Sequence, residues 1–201
     1  VEFNSPLEAR EAGIESVFQD LALCNDLDVP SNLFLGREEL LFKFGPFSIL
    51  DEKKMMQKAK EVLERTAIKI PNLSNHVGDM SGGHRQCVAI SRSASFAAKL
   101  IIMDEPTAAL GVQETTQVEN IIRGLKEQGV PLILISHNLR QVFNLVDRII
   151  VFRQGRIVGD KLTTETDGNA AAAAPPAIAA APVVRNLRRE VVDSVITMLL
   201  L

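Results

Sequence analysis

Two short apolar runs, Leu100-Ile101-Ile102-Met103 and Pro131 to Ile135, constrain this chain more than anything else in it. Continuous apolar runs of that length suit strands buried on both faces of a parallel sheet. Between them Val118, Ile121, Ile122 and Leu125 recur at helical spacing, which predicts a helix from about Gln113 to Gln128 with Gly129 as its stop. The first run ends in Asp104-Glu105 and the second in Ser136-His137. In a parallel sheet both endings emerge at the carboxyl edge, where ligands bind.

The rest of the chain extends the alternation. Asn4-Ser5-Pro6 is a helix start, Gly13 a stop, and Ile14 to Phe18 a strand ending at Gln19. Residues 20–50 read as loop-rich, broken by Gly36, Gly45 and Pro46. Asp51 caps a helix on which Met55, Ala59, Val62, Leu63 and Ala67 share a face; Met55 and Met56 read as core filling. Ser81-Gly82-Gly83 opens a helix to about Ala98, and Leu139, Val142, Phe143 and Val146 line another. Arg148–Arg153 and Arg156–Val158, joined at Gln154-Gly155, read as a hairpin. The fold class is therefore α/β with a parallel sheet.

From Thr163 the composition changes, and residues 168–182 are almost wholly Ala, Pro and Gly. The expected organisation is a domain over 1–163 with a helical subdomain at about 40–97, an Ala/Pro-rich linker over 164–182, and a C-terminal helix over 183–201. Val191, Val192, Val195, Ile196 and Leu199 would form that helix's docking face.

Composition excludes several functions. A net charge of −3 argues against a general nucleic-acid binder, and the absence of Trp and Tyr against a base-stacking platform. Cys24 and Cys87 make no disulfide framework and have no metal-ligand spacing. No run approaches the ~18 apolar residues of a membrane span. The polar, charged start does not read as a signal peptide, and the opening on Val1 suggests a natural start upstream.

Phosphoryl transfer needs a metal to offset developing charge and a group to position the nucleophile, and Asp104-Glu105 can supply both. Alone, two carboxylates after an apolar run are an ordinary strand end reaching water. In Ser81-Gly82-Gly83 the glycines permit close backbone approach, and the helix start favours an anion. Alone, this is a capped helix with a flexible lead-in. His137 can hydrogen-bond a phosphate and an attacking water; alone, it is a surface histidine.

The ordered set resembles the ATP-binding-cassette (ABC) ATPases: Phe18-Gln19-Asp20, Met80-Ser81-Gly82-Gly83-His84-Arg85-Gln86, Leu100 to Pro106, Thr107-Ala108-Ala109-Leu110-Gly111 and Ile135-Ser136-His137. The resemblance covers about Val1 to Asp160. It implies a P-loop NTPase-like (RecA-like) sheet with a helical subdomain, and ATP and Mg²⁺ as cofactors. By resemblance Glu105 is the catalytic carboxylate, His137 the switch histidine and Asp104 the Mg²⁺ ligand. Gln19 is the Q-loop glutamine, contacting Mg²⁺ or the lytic water. Ser81, Gly82 and Gly83 clamp ATP held by a second, opposing ABC ATPase domain. Ser5-Pro6-Leu7-Glu8-Ala9-Arg10, Gln19-Asp20-Leu21-Ala22-Leu23 and Leu33-Phe34-Leu35-Gly36-Arg37-Glu38 look like the cassettes of bacterial ribose- and xylose-type importers. That implies a peripheral subunit on the cytoplasmic face of the membrane, driving transmembrane permease subunits fed by an extracytoplasmic sugar-binding protein, with no nucleic-acid partner.

Three features depart from the pattern. His84 stands where the family usually has Gln, and Gly111 where many cassettes have Asp. No Gly-x-x-x-x-Gly-Lys-Ser/Thr phosphate loop occurs, and the strands that precede it in the family are missing. The expectation is an ATPase domain whose 201 residues neither bind nor hydrolyse ATP alone. Two alternatives stand beside it: a degenerate partner lending only its signature face, and a soluble ABC ATPase outside transport.

Overall fold

The structure is a computed structural model that describes residues 2–44, 47–97 and 99–165, and the backbone of Val195–Leu200. The chain divides into two compact units. The first comprises Val1–Gln19, Ala97–Ala108 and Leu125–Leu201, and the second Asp20–Phe96 and Ala109–Gly124.

The first unit is the sheet. Helix α1, Pro6–Glu11, starts where Glu8 N–H donates to the Ser5 hydroxyl. Gly13, at φ 87°, then turns the chain into strand β1, Ile14–Val17, while its carbonyl accepts from Lys99 and Leu100. That turn needs a left-handed backbone, which glycine adopts without steric cost. Strands β2, Leu40–Phe44, and β3, Phe47–Leu50, belong to the second unit. Strand β4, Leu100–Asp104, pairs in parallel with β1 and with β5, Leu132–Ile135. Strands β6, Arg148–Arg153, and β7, Arg156–Leu162, form the expected hairpin, with Gln154 and Gly155 both at positive φ. Its register is supported by Arg148, which donates to both carboxylate oxygens of Asp160 at 2.8 and 2.7 Å.

The burial of β4 and β5 corrects one expectation. Ile101, Met103, Leu132 and Leu134 are buried, but the alternate residues Leu100, Ile102, Ile133 and Ile135 are only half-buried among the described residues. Among the described residues of β4 and β5, only one face is fully closed.

The C-terminal helix is a second correction. Residues 183–194 and 201 lie outside the described residues, as does the linker from 166 on. Val195–Leu200 forms strand β8, paired in parallel with both β5 and β6, so the sheet order is β1-β4-β5-β8-β6-β7. Val-Ile-Thr-Met-Leu-Leu is a continuous apolar run that periodicity cannot separate from a helix. Two-sided parallel pairing, a long-range contact, decides it.

The second unit is mainly helical, and residues 20–50 are more ordered than expected. Helix α2, Val29–Phe34, starts at Asp28, whose carboxylate accepts from Ser31 N–H at 2.9 Å. Asn32 is fully buried there. Its amide nitrogen donates to the carbonyls of Cys24, Leu27 and Asp28, and its oxygen accepts from Cys24 N–H. Such a satisfied buried amide fixes the preceding loop. Strands β2 and β3 form an antiparallel hairpin whose described side chains are all exposed, Leu41, Phe42, Phe44, Phe47 and Ile49 among them.

Helix α3, Glu52–Arg65, is capped by Asp51 and buries Met55, Ala59 and Leu63 at four-residue spacing. Met56 is half-buried, and Ala67 is exposed beyond the helix end at φ 54°. Glu39 binds Lys54 at 2.7 Å and also Lys58, and these ammonium groups hold its carboxyl below the ordinary value. Helix α4, Gly82–Phe96, buries Gln86 to Ser91 almost continuously. Burial pushes its Cys87 thiol up to about 12, so it stays protonated and inert at neutral pH. Helix α5, Val112–Glu127, runs through both units, and α6, Leu139–Leu145, follows β5 in the first.

Candidate functional site at the carboxyl edge of the sheet

Strands β1, β4 and β5 run parallel, so their carboxyl ends lie on one edge. That edge carries Gln19, Asp104, Glu105 and His137. Asp104 closes β4, in register with Ile135 of β5, and is half-buried. Gln19 lies two residues beyond β1 and is exposed.

Glu105 is not simply the next residue of the strand. Its φ is 47°, in the left-handed region that a non-glycine residue occupies at a cost of ~1–3 kcal/mol. Two bonds hold it there: Glu105 N–H donates to the Ile135 carbonyl at 2.9 Å, and Ala108 N–H donates to the Glu105 carbonyl at 3.0 Å. The alternation of the strand therefore stops at Asp104, and the Glu105 side chain is aimed by a turn clamped to the neighbouring strand.

The structure brings Glu105 and His137 together. Carboxylate oxygen Oε1 accepts from the His137 backbone N–H at 3.0 Å and lies 2.6 Å from His137 Nδ1. An Nδ1–H donating to the carboxylate leaves Nε2 as the outward nitrogen of an imidazole that is 73% exposed. Glu105 is far more enclosed, at 19%. Its other oxygen, Oε2, has no hydrogen bond among the described residues. One oxygen orients the histidine, which leaves the other for a further hydrogen bond.

Ser81, Gly82 and Gly83 belong to the second unit. The Ser81 hydroxyl accepts from His84 N–H at 3.3 Å and lies 3.2 Å from His84 Nδ1, so His84 folds back on the cap of α4. His84 is half-buried, whereas His76 is exposed. The two glycines are not equivalent. A Cβ on Gly82 would meet Leu110 at an ordinary 3.5 Å, but a Cβ on Gly83 would lie 2.6 Å from Glu114 Cγ and 2.8 Å from its Cβ. Glu114 cannot easily retreat, because its Oε2 accepts from Gly111 N–H at 2.8 Å. Gly83→Ala is expected to destabilise the protein by about 1–3 kcal/mol, and Gly82→Ala by under ~1 kcal/mol. Thermal melts of the two variants check this; equal melting temperatures would refute it. Glu114 went unnoticed in the sequence because no local pattern ties it to a glycine 31 residues away.

Among the described residues no cluster of three or more His, Cys, Asp or Glu could hold a metal alone, and no helix is long and apolar enough to cross a membrane.

Residues 2–108 match the ABC transporter family model. The chain belongs to that family. Among curated relatives, the cassette is 44% identical over 165 residues to the xylose/arabinose import ATP-binding protein XylG of Sulfolobus acidocaldarius, covering 82% of this chain and 64% of the relative. It is 45% identical over 161 residues to the fructose import ATP-binding protein FrcA of Rhizobium meliloti, covering 78% and 61%. It therefore spans somewhat less than two thirds of either relative. Among solved structures, a nucleotide-free ATP-binding cassette from an ABC transporter superposes with a TM-score of 0.67 at 26% identity, over 86% of this chain and 69% of that one. The dimeric post-hydrolysis state of the cassette MJ0796 bound to ADP and Pi superposes at 0.63 and 22% identity, over 81% and 68%, and shares the fold. The α/β fold with a parallel sheet is thus that of an ABC cassette.

Proposed function

We propose that this chain is the ATP-hydrolysing part of an importer that brings a monosaccharide into the cell. The observation that carries the reading is the Glu105–His137 pair, a half-enclosed carboxylate gripped by a backbone N–H and an imidazole at the carboxyl edge of the sheet. XylG and FrcA are named as xylose/arabinose and fructose import ATP-binding proteins, which supports the cargo class.

In this reading Glu105 Oε2 accepts a hydrogen bond from the water that attacks the γ-phosphorus; as that P–O bond forms, the bond from the γ-phosphorus to the β,γ-bridging oxygen breaks, ADP leaves with that oxygen, and the carboxylate takes up the water's proton. Oε1 stays with His137, whose outward Nε2 side contacts the γ-phosphate. Asp104 would hold Mg²⁺, and Gln19 would contact the metal or the lytic water. A lone half-buried carboxylate suits Mg²⁺, which binds through one or two carboxylates plus water and substrate phosphates. Bound there, Mg²⁺ offsets charge on the phosphoryl oxygens. Ser81, Gly82 and Gly83 supply the start of α4 to ATP on a second cassette; the MJ0796 dimer supports a partner of that kind. Transmembrane permeases receive the motion through residues 19–40, and an extracytoplasmic binding protein delivers the sugar. The work is done on the cytoplasmic face of the membrane.

Retention on membranes tests the transport reading. The chain should sediment with vesicles that contain a monosaccharide-importer permease and stay in solution with vesicles lacking one. Equal partition between the two would favour the soluble, non-transport alternative.

A further inference from the structure

We infer that Gln141 is a positioning residue that ties the loop after Glu105 to the loop before His137 through one side-chain amide. Gln141 lies in the first turn of α6 and is 2% exposed. Its Oε1 accepts from the Thr107 hydroxyl at 2.9 Å and lies 3.5 Å from the Ser136 hydroxyl. Thr107 is two residues past Glu105, and Ser136 immediately precedes His137. Ser136 Oγ also accepts from Asn138 N–H at 3.1 Å, and Asn138 Oδ1 accepts from Gln141 N–H at 3.3 Å, closing the loop back on the helix.

The arrangement is selective. Gln141 Nε2 has no partner among the described residues. A leucine at this buried position would avoid that unmet donor, so the amide is not there to fill space. What glutamine adds is an acceptor reaching both loops. The Glu105 turn is already strained, at φ 47°, and needs surroundings that hold it. The Ile135 carbonyl holds its start, and Gln141, through Thr107, holds its continuation. Among the described residues Gln141 is hydrogen-bonded to neither Glu105 nor His137, so it acts through the two loops that carry them.

The role rests on reading Glu105 and His137 as the working pair, but its test needs no nucleotide, so it can fail without touching that reading. The probe is amide hydrogen exchange of the full chain, read by NMR at His137, whose backbone N–H is held by the Glu105 carboxylate. Gln141→Leu should speed exchange at His137 roughly fivefold, the effect of one lost hydrogen bond, while Leu134 in β5 keeps its rate. Thr107→Val, nearly isosteric and therefore a safe second variant, should reproduce the effect, and the double variant should add nothing. Three results would each overturn the inference: no change at His137 in either variant, effects that multiply in the double variant, or an equal acceleration at Leu134, which marks general loosening.

Discussion

Glu105→Gln, made in a protein that also carries a phosphate loop, should leave ATP bound and lower turnover about 10²–10⁴-fold, the range for losing a positioned general base. The amide keeps the size of the side chain. Its oxygen can still accept from His137 N–H, where the carboxylate now does at 3.0 Å. What disappears is the capacity to take a proton at the second oxygen, so binding and chemistry should separate. Filter binding and phosphate release on the same preparation read the two quantities. Unchanged turnover would remove the Glu105 carboxylate from the chemistry.

The second large effect concerns nucleotide affinity. A phosphate loop supplies several backbone N–H groups and a lysine to the β- and γ-phosphates, each charge-assisted bond worth ~1.5–3 kcal/mol. No such loop occurs in these 201 residues. Lacking even three such bonds amounts to about 5 kcal/mol, so the chain alone should bind ATP at least ~10³-fold more weakly than a complete cassette. Asp104, Glu105 and the exposed His137 offer an anion little in return, two of the three being carboxylates. Calorimetric titration with Mg-ATP checks this; micromolar affinity in the folded monomer would refute it.

Much of the sheet was legible because its strands announce themselves. Leu100–Asp104 and Leu132–Ile135 are apolar runs at the right distance from an amphipathic helix, and both formed strands. The motif residues at their ends then followed from parallel topology. The hairpin of β2 and β3 was harder. Leu40–Phe44 and Phe47–Leu50 are exposed on both faces and alternate only briefly, around Lys43 and Ser48, on either side of the breakers Gly45 and Pro46, and lie so close together that they read as loop. Asp28-Val29-Pro30, by contrast, is a helix start of ordinary chemistry, a capping carboxylate followed by an early proline, set among polar neighbours. β8 was illegible for another reason, since its pairing with β5 and β6 is a long-range event that no local window carries.

The site divides in the same way. Which residues stand at the sheet edge could be read from the strand ends. That Glu105 leaves the strand in a left-handed turn could not, because the turn depends on a hydrogen bond to Ile135 in a different strand. Nor could the difference between Gly82 and Gly83, which is set by where Glu114 is tethered. Residue type announces chemistry, whereas geometry depends on partners distant in sequence.

The central claim is that Glu105 and His137 form the hydrolytic pair of an ATP-binding cassette. The most direct measurement is ATP turnover by a fusion placing a Gly-x-x-x-x-Gly-Lys-Ser/Thr phosphate-loop segment ahead of this chain, compared with the same fusion carrying Glu105→Gln. The account predicts that both fold and bind ATP, and that only the first hydrolyses it. A fusion that folds, binds ATP and turns it over equally with and without the Glu105 carboxylate would contradict it.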